Sequence, residues 1–92
     1  MRIALGKRFQ QDVRDLEPQE RAAVFEALQA LPAALGNPRT HAGLGIRKLH
    51  RSGIWEARVG LGLRLVFGLE PTLVTLVRVG SHDVVRRFLR DL

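Results

Sequence analysis

The segment "VRVGSHDVVRRFL", Val77 to Leu89, joins an apolar, β-branched run to a short basic one, with His82 and Asp83 at the junction. A titratable imidazole beside arginines can serve RNA chemistry without a metal. Such a reaction needs a base for the ribose 2'-hydroxyl, cations for the crowded phosphorane and an acid for the leaving oxygen. The cations come from two earlier runs. "IWEARV" alternates so that Glu56 and Arg58 share a face, and "LRLVFGL" puts Arg64 on the corresponding face of the next strand. Arg47 or Lys48 from the preceding strand and His82 from the end of the last strand can join them, giving a basic surface with an imidazole at its rim.

A plainer reading stands beside this one. Glu56 and the arginines also fit cross-strand ion pairs on a solvated face, each worth under ~1 kcal/mol. His82 equally fits an exposed or capping position at a helix start, where Ser81 is the N-cap and Asp83 favours the helix dipole. Phe88 falls on the apolar stripe of that helix, so core packing is its default role. His41, in a loop, and His50, beside a turn, show no metal-ligand spacing. There is no cysteine, no P-loop, no G-x-S-x-G and no H-E-x-x-H, which argues against a nucleotide hydrolase or a metal enzyme. No cofactor or metal is expected.

Charge supplies the next constraint. The chain has 92 residues and a net charge of +6. Only Lys7 and Lys48 among its 15 basic residues are lysines, which leaves 13 arginines. Up to Thr40 the balance is six basic minus five acidic, or +1; from His41 it is nine minus four, or +5. Arginine's planar fork suits bidentate phosphate recognition. The field therefore favours an anionic partner, either nucleic acid or an acidic protein. An arginine-rich proteome is the alternative explanation. No apolar run approaches a membrane span and the N-terminus lacks a signal-peptide core, so a soluble, cytoplasmic protein without membrane contact is expected.

The positioning elements follow from periodicity. "RIAL" is a short strand closed by Gly6. Phe9, Val13 and Leu16 recur at helical spacing over Lys7 to Leu16. Pro18 opens a second helix, whose apolar face is read as Ala22, Phe25, Leu28 and Leu31, with its stop near Pro32. "LGNPRTHAGLG" is a loop. "GIRKLH", "IWEARV", "LRLVFGL" and "TLVTLVRV" are strands joined mostly by tight turns, and His82 to Leu92 is a closing helix. The expected fold is α+β: one domain over residues 1–92, with an N-terminal strand and an αα-hairpin on one face of a twisted antiparallel sheet and a short C-terminal helix. Trp55, Leu65 and Phe67 should be buried with Phe9 and Phe25, on the side away from Arg58 and Arg64.

"MRIALGKRFQQDVRDL", "RKLHRSGIWEARV", "LRLVF" and "VRVGSHD", in this order, closely resemble the RelE/ParE toxin superfamily of bacterial toxin–antitoxin systems. The resemblance covers nearly the whole chain. It implies the same α+β fold, a cognate antitoxin with an acidic, partly disordered segment, and one of two activities. RelE-type members are metal-independent ribonucleases, mostly cutting mRNA on the ribosome; ParE-type members inhibit DNA gyrase without a nuclease site. By resemblance Arg64 matches the family's phosphate-stabilising arginine, Arg58 a catalytic basic residue, and His82 an arginine that is histidine in the YafQ-like branch. Glu56 stands where the best-known RelE-type members have lysine, and Phe88 stands near a catalytic tyrosine, so that the strict constellation is incomplete. The expected set is Arg58, Arg64, His82 and Glu56 at the reacting phosphate, with Arg47, Lys48, Arg51, Arg78 and Phe88 contacting RNA.

Overall fold

The third and fourth strands form the scaffold that fixes every other placement. In a computed structural model, which describes residues 1–37 and 42–92, they are β3 (Ile54–Val59) and β4 (Leu63–Glu70), paired antiparallel from Ile54↔Gly68 to Val59↔Leu63. Around them stand β1 (Arg2–Leu5), β2 (Arg47–His50) and β5 (Leu73–Gly80), in the sheet order β1-β5-β4-β3-β2. The meander β2 to β5 is antiparallel, as the turns predict. The N-terminal strand β1 joins β5 in parallel, Arg2 opposite Leu73, so the sheet as a whole is mixed.

Helices α1 (Lys7–Arg14) and α2 (Pro18–Gly36) cover one sheet face, and α3 (His82–Arg90) closes the described chain. Phe9, Val24, Ala27 and Leu31 from the hairpin pack with Ala57, Leu65, Phe67, Val74 and Leu76 from the sheet. Each fully buried Leu or Phe of this set contributes about 1.5–3 kcal/mol relative to exposure. Trp55 packs on this core but is half-buried, because its strand neighbour β2 is the sheet edge. Among the described residues no helix is long and apolar enough to cross a membrane.

Two features of α2 differ from the periodicity reading. The helix does not stop near Pro32 but carries it internally and runs to Gly36. A proline inside a helix costs about 3 kcal/mol; Leu31 and Ala34 on either side are fully buried, and their burial offsets part of that cost. The buried stripe is Val24, Ala27, Leu31 and Ala34, leaving Phe25 57% exposed rather than in the core. Val24, Ala27 and Leu31 of this stripe pack with the sheet residues of the core. Glu17 and Glu20 form a reciprocal capping box at the start, beside Pro18.

A bulge decides the fate of β5. Phe67 pairs with Leu76 but Val66 pairs with Arg78, so Val77 is the extra residue. Without it, Arg78 would stand opposite Leu65 in the core. With it, Val79 enters the core and Arg78 faces the other side. β1 ends opposite Leu76, and Asp12 of α1 serves the edge beyond: its Oδ2 accepts the Val79 N–H at 3.0 Å and the Arg78 Nε–H at 2.8 Å.

Candidate functional site

The strand register brings three of the expected arginines together. Arg47 pairs with Glu56 across β2 and β3, and Arg58 with Arg64 across β3 and β4. All four side chains lie on the face opposite Trp55, Leu65 and Phe67. With Gly45 they line a recess of about 200 Å³. Lys48 pairs with Trp55 and so belongs to the other face. Of the two basic residues of β2, it is Arg47 that joins.

Glu56 is the one acid among them and is almost wholly buried, with 3% side-chain exposure. Its Oε2 accepts the Arg47 Nε–H at 2.6 Å, a short, charge-assisted bond. The lining therefore carries three guanidinium charges against one carboxylate. Arg58 and Arg64 have no ion-pair partner among the described residues. Gly45 lies close against Arg58: its φ is +53°, and a Cβ there would lie 2.5 Å from the Arg58 Nε. A recess with permanently charged forks and spare positive charge can bind a phosphate and stabilise charge developing on it.

The remaining expected residues fall outside this recess. His82 is the first residue of α3, exposed, and the recess is lined without it. It lies two residues beyond Gly80, the cross-strand partner of Arg64. Ser81 caps α3 by accepting the Val84 N–H, and Asp83 lies in its first turn. Arg51 is exposed in the β2–β3 turn, where His50 Nδ1 binds the Ser52 hydroxyl at 2.6 Å. Arg78 is committed to Asp12. Phe88 is half-buried and lines a separate cavity with Arg78. Val66, fully buried on the recess side of β4, marks where α3 covers that face. Its Val84 lies against Gly80, which shares this face. The recess side is therefore partly roofed rather than wholly open. His41 lies outside the described residues, and among those described no three His, Asp or Glu side chains group as a metal site requires.

Two contributors escaped the sequence reading. Gly45 carries no chemistry of its own, and only its φ and the approach of Arg58 mark it. Asp12 had a signal: it lies three residues after Phe9 on α1, on the buried side of the helix.

Solved structures with this architecture come from several organisms. The RelBE2 toxin–antitoxin complex of Mycobacterium tuberculosis includes a chain matching at TM-score 0.64 and 25% identity, over 87% of this chain and 95% of that one. The DinJ–YafQ complex of E. coli gives 0.65 and 25%, over 90% and 94%. The RelB–RelE antitoxin–toxin complex of Methanococcus jannaschii gives 0.69 at 14% identity, over 92% and 96%, and so speaks to the fold alone. No family model matches the sequence, and no curated protein does. The likenesses span nearly the whole chain and agree with the superfamily resemblance drawn from its motifs.

Proposed function

We propose that this chain, which has the RelE/ParE-type toxin fold, is the toxin of a type II toxin–antitoxin system. In this reading it acts in the cytoplasm as a metal-independent endoribonuclease on mRNA, with the ribosome as its working surface. The observation that carries the reading is the recess: Arg47, Arg58 and Arg64 converge around a buried carboxylate on the side of the sheet away from the core. Its partner is an antitoxin whose acidic, partly disordered segment folds on the basic surface.

In the reaction, the 2'-hydroxyl oxygen attacks the adjacent phosphorus as its proton leaves to a base. The bond from phosphorus to the 5'-oxygen breaks, and that oxygen takes a proton. One product ends in a 2',3'-cyclic phosphate and the other in a 5'-hydroxyl. Arg64 and Arg58 bind the non-bridging oxygens where charge accumulates. Glu56 orients Arg47, since its Oε2 is already bonded there. His82 is the proton-transfer candidate, brought to the phosphate by the RNA. Arg51, exposed in the β2–β3 turn, contacts the strand further out.

One observation favours a second reading, a binding toxin of the gyrase-inhibiting kind. His82 stands outside the recess, and the carboxylate within it is engaged by Arg47, so the recess holds anion-binding groups without a free base. Induction of the chain in a bacterial host separates the two. Rapid loss of translation with cut mRNA supports the nuclease. Intact mRNA with gyrase-dependent DNA damage selects the binding toxin.

A further inference from the structure

β1 is an outer strand of the sheet, and its free edge is apolar. Ile3 and Leu5 share one face by strand period, with Met1 two residues before them; the three are 37, 48 and 59% exposed. Beside them α2 carries a second apolar stripe at helical spacing, Phe25, Leu28, Pro32 and Leu35, and Phe25 is 57% exposed. Two grooves join strand and helix. One, of about 210 Å³, sets Leu5 with Phe9, Val13, Phe25 and Leu28; the other, of about 430 Å³, sets Met1 with Pro32, Leu35 and Leu69. We infer that this edge pairs with the same edge of a second copy of the chain, antiparallel about a twofold axis at Ile3.

The parallel ladder between β1 and β5 leaves the backbone for such a pairing. Arg2 N–H donates to the Thr72 carbonyl at 3.0 Å, and Gly6 N–H to that of Leu76 at 2.9 Å. Alternate residues therefore turn their N–H groups toward β5, and Ile3 and Leu5 turn theirs away. With the axis at Ile3, the two Ile3 residues exchange both backbone bonds, and each Leu5 N–H donates to the Met1 carbonyl of the other copy. The Leu5 carbonyl needs no partner, because it accepts the Gln10 Nε2–H at 2.9 Å. Met1 of one copy then stands opposite Leu5 of the other, at the groove that Phe25 lines. The knob at one end of the strand meets the hole at its other end, the self-complementarity that an isologous contact requires.

Charge favours a second copy over an acidic partner. Up to Thr40, the part that supplies β1, α1 and α2, the balance is six basic minus five acidic, or +1, and the excess of +5 lies beyond it. An acidic segment is drawn to the recess and α3 rather than to this nearly neutral, apolar face. The opposite edge of the sheet, β2, is protected in the way free edges usually are: Arg47 and Lys48 are exposed on it, and its register shifts between Lys48 and His50. β1 pairs without a register shift, and its apolar face carries no charge.

Sedimentation equilibrium of the purified chain tests the pairing. A reversible dimer, half-formed between about 1 and 100 µM, is expected of a contact near the ~1,200 Å² lower limit of specific interfaces. Added salt should strengthen it, because two copies of net charge +6 repel. Ile3→Lys puts a charge on the free edge and Phe25→Ser removes a wall of the groove. Each should weaken association about tenfold or more, since a twofold contact carries every change twice. Both positions are exposed, and thermal melting checks that the variants fold. A monomer across that range, association that neither substitution weakens, or growth beyond the dimer would overturn the pairing. So would a monomeric chain whose Phe25→Ser variant loses capture of a purified acidic antitoxin, which would give the face to that partner. The edge shares no residue with the recess, so Arg64→Ala should leave the dimer unchanged whether or not the chain cuts RNA.

Discussion

Arg58 and Arg64 stand directly opposite one another across β3 and β4. Like charges in that position oppose folding by up to about 1 kcal/mol, because cross-strand neighbours are only about 5 Å apart. Neither side chain has an acidic partner among the described residues. Stability does not explain the pair; the function proposed above explains it by an anionic ligand. Arg64→Thr is therefore expected to hold or raise the urea midpoint while RNA affinity falls. Loss of stability and binding together would make Arg64 a structural residue.

The Asp12 carboxylate joins three elements, receiving Val79 N–H and Arg78 from β5 at the place where β1 ends. Asp12→Ala strands a buried backbone donor and a mostly buried guanidinium (side chain 18% exposed). The expected cost is about 2–4 kcal/mol, read from urea unfolding. Asp12→Asn keeps an acceptor and should lose less. An alanine variant as stable as wild type would mean that the β5 edge needs no such partner.

Gly45 is expected to act through Arg58. Alanine there needs the left-handed backbone and puts its Cβ into the guanidinium. Gly45→Ala should weaken RNA binding about as much as Arg58→Ala does, and should add little in the Arg58→Ala background. That non-additivity, measured as a double-mutant cycle, is the signature of a shared contact. Fully additive losses would separate Gly45 from Arg58.

The recess was legible in sequence because strands have a period of two. With Trp55 and Phe67 on the core face, Glu56, Arg58 and Arg64 must share the other. Arg47 and Lys48 were indistinguishable by the same rule, since "GIRKLH" alternates poorly; the Arg47↔Glu56 register decides it. The α2 stripe is not legible in the sequence because two apolar faces of the same helix compete, and packing on the sheet selects Val24 and Ala27 over Phe25. The Val77 bulge left no local mark. An unbroken apolar run pairs equally well in either register until Asp12, 66 residues earlier, captures Arg78. Where His82 sits relative to the arginines was likewise a matter of how α3 lies on the sheet, which spacing along the chain does not specify.

The most direct measurement is the chemistry of the cut ends. Purified chain, with mRNA on purified ribosomes, should yield fragments bearing 2',3'-cyclic phosphate. Arg64→Ala should lower the rate about 10²–10³-fold at an unchanged folded fraction, as loss of a donor to a developing charge does. Wild-type cleavage by Arg64→Ala, or intact mRNA with the wild-type chain, would contradict the account.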